Sequence, residues 1–245
     1  MFQIMTSIPD GFLPAVVFLI KNNWQFFLYG LMVTLIVSLL GTLFGLILGM
    51  PISMLRNIKI HSHDRTSTKV FKRINLFIWN SYVQYIRGTP MMVQAILVYY
   101  GLRSYNIALT PIFAGVLVIT INTSAYIAEI LRAGIQSVDP GQNEAARSIG
   151  LNERQTMMHI ILPQALRNAI PAIGNELVAN IKDSAVLNAI AVTDLFFQAN
   201  KLNGVYYRQL EPFFIISLIY LALTLLSSKL LKMIENHIDN KGARI

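Results

Sequence analysis

The chain has 245 residues, 54% of them hydrophobic and 13% charged, with a mean hydropathy of +0.53 and a net charge of +8. Soluble domains carry about a quarter charged residues, so about half of the usual charge is missing. No cysteine occurs, which removes disulfides, thiol catalysis and cysteine-held metals.

Met1–Ile20 holds Asp10 and no Lys or Arg; a secretory signal opens on positive charge, so this stretch is read as part of the mature protein. No charged residue lies between Lys21 and Arg56. About 20 apolar helical residues cross a bilayer core of about 30 Å, and the first predicted span is Phe26–Leu55. Gly41, Gly45 and Gly49 give it a small-residue face on which another helix packs closely. His61 and His63, in the charged loop that follows, read as solvated loop residues ahead of a metal site. Phe71–Ile86 reads as an interfacial helix, with Phe71, Ile74, Ile78, Tyr82 and Tyr85 on one face. It leads into a second span over 87–102, where Arg87 snorkels to the headgroups. The third span is 110–132, with Glu129 and Arg132 an ordinary helix-surface pair near its end. The sequon Asn122-Thr123-Ser124 lies inside that span and is discarded as a glycosylation site. The fourth, 171–192, contains polar residues, of which Asn175 and Glu176 are read as interhelical contacts. The fifth is 212–231. The whole of 1–245 is thus one all-α transmembrane domain of five spans.

Lys and Arg sort by loop. The segments Arg56–Arg73, Arg132–Arg167 and Lys229 onward hold fourteen, against four at Lys21, Arg103, Lys201 and Arg208. The positive-inside rule places the rich segments in the cytoplasm, with the N-terminus outside and the C-terminus inside. The basic charge therefore serves orientation in a bilayer rather than nucleic acid.

The cytoplasmic loop 137–163 is too polar for the bilayer and too well punctuated for a linker. Asp139 caps a helix that starts at Pro140, with Gln142 in the place of a capping-box partner. Gly150 stops that helix. Asn152 caps a second, with Gln155 three residues on, and Pro163 and Pro171 mark the return into the membrane.

Glu144-Ala145-Ala146, three residues, Gly150, nine residues, then Ile160-x-Leu162-Pro163 resembles the EAA loop of bacterial ABC-importer permeases. Arg87-Gly88-Thr89-Pro90, Gln94, Tyr100-Gly101, Ala125-Tyr126, Glu129, Arg132, Gly141-Gln142, Pro163-Gln164-Ala165-Leu166-Arg167 and Lys182-Asp183-Ser184 are similar to the polar amino acid branch of that family, over about Gly30 to Leu231. Ser184-Ala185-Val186 departs mildly from the family, which more often has Thr or Ser followed by Leu. The resemblance implies that Gly141–Gly150, centred on Glu144, Ala145 and Ala146, docks in a groove of an ATPase subunit, and that Gly150 lets the chain turn back. It implies two such ATPase subunits carrying ATP and Mg, a second permease copy or a similar permease, an extracytoplasmic solute-binding protein, and a place in the bacterial cytoplasmic membrane. No G-x-x-x-x-G-K-[ST] loop occurs, so this chain is expected to bind no cofactor and to be no enzyme itself.

A charge inside a span costs about 2.5–3.5 kcal/mol, which makes Lys182 and Asp183 candidates for function. They lie about 16 Å of helix beyond Pro171, and Gln94 lies about 10 Å beyond Arg87. Both sites are expected to face one cavity near the midplane. An amino acid is a zwitterion, so Asp183 or a nearby carbonyl is expected to receive the ammonium or a basic side chain. Lys182, Gln94 and a helix start at Thr89 would receive the carboxylate. The alternative is that Lys182 and Asp183 neutralise each other or a neighbouring subunit. A secondary transporter or channel would not need the capped loop, and a membrane enzyme would need a nucleophile–base pair or metal cluster that the four scattered His do not supply.

Overall fold

The structure is a computed structural model that describes residues 8–242, with 237–242 described by their backbone alone. All regular elements among the described residues are helical. Helix α1 is Phe12–Arg56, α2 is Thr66–Gly88, α3 is Met91–Ser104 and α4 is Pro111–Gln136. On the loop side follow α5 at Pro140–Ser148 and α6 at Glu153–Thr156. A π-turn, Met157–Ile161, then runs into α7, Leu162–Asp183, which tightens into a 3₁₀ segment, Ser184–Ile190. Helices α8, Leu195–Tyr206, and α9, Leu210–Gly242, complete the chain. By length and apolarity three stretches among the described residues suffice to cross a membrane alone: Phe12–Arg56, Pro111–Gln136 and Leu210–Asn236.

The first helix begins fourteen residues before the expected Phe26 and runs for 45 residues, about 67 Å. Lys21, Asn22 and Asn23 mark where an apolar stretch ends, but none of them breaks a helix. Asn22 donates to the Phe18 carbonyl at 2.9 Å and Asn23 to the Tyr206 hydroxyl at 3.3 Å, so the polar groups are satisfied without leaving it. The glycine stripe does what small residues do. A Cβ on Gly45 would lie 2.6 Å from Thr123 Cβ, and one on Gly49 2.7 Å from Ile127 Cβ, so α1 lies backbone-close along α4.

The expected interfacial helix is longer, Thr66–Gly88, and apolar on two faces. Phe71, Ile74, Phe77 and Ile78 point outward, while Val83 and Ile86 are buried with Trp79 and Tyr82 beside Ala125 and Ala128 of α4. The expected span from Arg87 is broken at Thr89-Pro90, leaving α3 with 14 residues, about 21 Å.

The region between the fourth and fifth predicted spans holds an element that periodicity did not single out. Asp194 accepts from Phe197 N–H at 3.0 Å and starts α8, whose Leu195, Ala199 and Leu202 are buried against Leu19 and Phe27 of α1 and Ile215 and Ile216 of α9. The central core joins Val33 and Val37 of α1, Ala95 of α3, Ala114, Val118 and Ile119 of α4, and Leu187, Ile190 and Val192. Two interrupted helices, at Thr89-Pro90 and after Asp183, therefore meet around one core.

Candidate functional site

The polar loop folds as its caps require. Asp139 Oδ1 accepts from Gly141 N–H at 2.7 Å, and Pro140 takes the first helical position, where an N–H would have no partner. The reciprocal bond expected of Gln142 is not made. Its amide oxygen accepts instead from Gln164 Nε2 at 3.2 Å, tying α5 to α7. Gly150 closes the helix with φ +86°, and Leu151 N–H bonds back to the Ala146 carbonyl at 3.1 Å. Gly141, Glu144, Ala145 and Gly150 are exposed. Ala146 is not: at 4% exposure it faces the body of the protein, so it seats α5 rather than meeting a partner.

At Asn152 both halves of the expected capping box form, each at 2.9 Å. Beyond it the chain does not pause at the prolines. It runs helically from Glu153 to Asp183 through the π-turn, with Pro163 in the first turn of α7 and Pro171 inside it. A widened turn just before Pro163 leaves room for the ring, which is why the proline stops nothing. One continuous helical run therefore joins α6 to Lys182 and Asp183.

At the far end of that rod Lys182 and Asp183 are both exposed, and neither forms an ion pair among the described residues. The helix narrows to 3₁₀ immediately after them and ends on Ala191 in the left-handed region, φ +60°. A shallow recess of about 230 Å³ adjoins this segment, with Met92 of α3 facing Val186, Asn188 and Phe196.

Thr89 and Gln94 are engaged differently from the expectation. Thr89 is extended, φ −122° and ψ 147°, as the residue before a proline must be, and α3 starts beyond it at Met91. Gln94 is 5% exposed. Its Nε2 donates to Ile86 O at 2.7 Å, Thr89 O at 3.0 Å and Thr89 Oγ1 at 2.9 Å, while its Oε1 accepts from Asn122 Nδ2 at 3.0 Å. Gln94 satisfies the carbonyls freed by the break, and all its polar atoms are in use.

Several polar residues carry more than their local sequence suggests. Asn180 Nδ2 donates to Thr42 Oγ1 at 2.8 Å and Thr123 Oγ1 at 2.9 Å, and its carbonyl accepts from Ser38 at 3.0 Å, which locks α7 to α1 and α4. Asp194, fully buried, accepts from Tyr220 OH at 3.3 Å and Ser184 Oγ at 3.4 Å. Glu129 is no isolated surface pair with Arg132: Arg56 NH1 reaches it at 2.9 Å and Arg87 NH1 at 3.7 Å. Arg87 also lies over the Tyr126 ring at 5.4 Å. Asn175 is exposed and Glu176 half-buried, and neither makes the expected interhelical hydrogen bond among the described residues. Glu176 lies seven residues before Asp183, two helical turns along the same face. An acid within a predicted span was the available signal.

Residues 69–240 match the family described as binding-protein-dependent transport system inner membrane component. The chain belongs to that family. The permease is 34% identical over 204 residues to a probable glutamine ABC transporter permease protein of Bacillus subtilis, covering 83% of this chain and 89% of that protein. It is 36% identical to the arginine transport system permease protein of the same organism, over 67% of this chain and 76% of that one. Among solved structures it superposes with a TM-score of 0.81 and 39% identity on a chain of an amino acid ABC transporter crystallised with histidines, covering 94% of this chain and 99% of that chain. A chain of the inward-facing MetNI methionine ABC transporter, at 18% identity and a TM-score of 0.68, shares the fold. The resemblance of the loop and its flanking motifs is thus borne out: this is a multi-pass membrane permease subunit of an ABC transport system.

Proposed function

We propose that the permease forms half of the path by which a polar amino acid enters a bacterial cell, driven by separate ATPase subunits. The observation that carries this is the unbroken helical run from Glu153 to Asp183, which joins the capped cytoplasmic loop to the exposed charged pair. The chain crosses the cytoplasmic membrane five times, α2 and α3 together making the second crossing and α7 with its 3₁₀ extension the fourth. The N-terminus is outside and the C-terminus inside. Five crossings wall too little of a pore, so a second copy or similar permease completes it, and a solute-binding protein delivers substrate from outside. ATP and Mg act on two partner ATPases, and closure of these moves Glu144 and the exposed face of α5.

Asp183 and Glu176 receive the substrate ammonium or a basic side chain, and Lys182 with the free N–H groups that open α3 receives the carboxylate. Gln94 and Thr89 hold the break that exposes those groups. The relatives named for glutamine and arginine transport support an amino acid as cargo. The test is ATP-dependent uptake of a panel of radiolabelled amino acids into vesicles supplied with the ATPase and binding protein, comparing wild type with Glu144→Lys. Uptake of one substrate class, dependent on ATP and lost in the variant, is expected. Flux without ATP, or flux indifferent to Glu144, would return the chain to the channel or secondary-transporter reading.

A further inference from the structure

We infer that the ATPase-docking surface is not confined to α5 but continues into the cleft between α6 and the α1–α2 loop, which receives a carboxylate-bearing, apolar-tipped segment of the ATPase subunit. The inference rests on the ATPase-driven reading above. The cleft, of about 510 Å³, has Lys59 and His61 on one wall and Glu153, Arg154, Met157 and Met158 on the other.

Both walls are held by hydrogen bonds of their own. The loop wall is tied down by Lys72 Nζ, which donates to Asp64 Oδ2 at 2.7 Å and to the Lys59 carbonyl at 2.9 Å, and by Lys69 Nζ on the Ser62 carbonyl at 2.6 Å. The Lys72 bond, with His61 N–H donating to the same carboxylate, holds Asp64 below the usual carboxylate range. The His63 ring stacks on that of His61, centroids 5.2 Å apart. The opposite wall is fixed by the capping box that opens α6. Preorganised walls lower the ordering cost of association.

The charge in the cleft is unbalanced. Glu153 reaches His61 Nε2 at 3.1 Å and Lys59 Nζ at 3.7 Å, so one carboxylate already faces two basic groups, and Arg154 adds a further cation with no acidic partner among the described residues. The surplus is positive, and it selects an acidic guest. The apolar groups at the lip are as telling. Met157 lines the cleft and Met158 beside it is 50% exposed, on a loop otherwise polar enough to lie in water. Large apolar side chains grouped on such a surface mark contact sites, and a few desolvated anchors carry most of an interface.

Continuity names the guest. The elements that form this wall, α6 and the π-turn, pack directly against α5, so a partner covering the exposed face of α5 reaches this lip as well. The α1–α2 loop thereby becomes a second handle, through which the ATPase moves α1 and α2 as well as α7.

The test uses the full-length permease in nanodiscs and measures its affinity for the purified ATPase subunit, with thermal unfolding as the check on folding. Lys59→Glu with Arg154→Glu should weaken binding by about tenfold or more at low salt, and the effect should shrink as salt rises. Met158→Ser should weaken it several-fold with little salt dependence. Unchanged affinity in both variants, with binding lost in Glu144→Lys, would overturn the inference and confine docking to α5. Affinity unaffected even by Glu144→Lys would instead overturn the ATPase reading on which it rests. If the double reversal acts in nanodiscs containing anionic lipid and not in phosphatidylcholine alone, the cleft reads lipid headgroups and the inference also fails.

Discussion

Asn180 and Lys182 are two residues apart, yet the structure assigns them opposite work. Asn180 is buried, with its amide shared between Thr42 and Thr123, whereas Lys182 forms no ion pair among the described residues. Asn180→Leu leaves two buried hydroxyls without their donor, and such bonds inside membrane proteins average about 0.6 kcal/mol, with unsatisfied groups costing about 1–3. A loss of about 1–2 kcal/mol is expected, read as a lower unfolding midpoint in detergent. Lys182→Ala should leave that midpoint in place and raise the KM for uptake. If Lys182→Ala retains full substrate affinity, its place in the binding site is refuted. The contrast also shows what was legible at this scale. A charged pair inside an apolar run announces itself because its cost is absolute. An asparagine announces nothing, since its value depends on hydroxyls 138 and 57 residues away in the chain. Asp194 was missed for the same reason: its partners Ser184 and Tyr220 lie on two other elements.

Among elements, those whose limits are set by local chemistry were readable. Asp139, Gly150 and the Asn152–Gln155 box fix the ends of α5 and α6 through bonds spanning two to five residues, so α5 emerges as the sequence suggests. Limits inferred from polarity were not readable, because polarity marks the edge of the lipid and not of the helix. That is why α1 begins fourteen residues early and why α7 passes Pro163 and Pro171. The interrupted helix α2–α3 falls between these cases: Pro90 is a visible breaker, but the group that repairs the break is not visible. Gln94→Leu tests the repair. It removes three donations to Ile86 and Thr89 and the acceptor for Asn122. The expected loss is about 2–3 kcal/mol, larger than for Asn180→Leu, with uptake lost at all substrate concentrations. A variant that folds with wild-type stability and only a raised KM would show Gln94 to be a substrate ligand after all.

For the molecule as a whole the question is what moves against what when the loop carrying α5 and α6 is pushed. Helices α1 and α4 are joined backbone-close along Gly45 and Gly49, and Arg56, Arg87 and Arg132 converge on Glu129 where α1, α2 and α4 end together. These contacts make α1, α2 and α4 one frame. Helix α7 is attached to it near its C-terminal end by Asn180 and near its start at Gly134, where a Cβ would lie 2.7 Å from the Ala165 carbonyl. A wedge between α1 and α4 should therefore damage everything downstream, whereas the same kind of change on an open helix face should not. Gly45→Leu places four side-chain carbons where the first would already meet Thr123, and overpacking of this kind costs about 1–3 kcal/mol or more. Gly204→Ala, in α8, meets nothing within 4 Å among the described residues and removes backbone freedom from the unfolded chain, worth about 0.5–1 kcal/mol in favour of the fold. The pair should move the unfolding midpoint in opposite directions, and only Gly45→Leu should abolish transport. Should Gly45→Leu transport normally, α1 and α4 must separate during the cycle, and the rigid frame would have to be redrawn around α4 and α7.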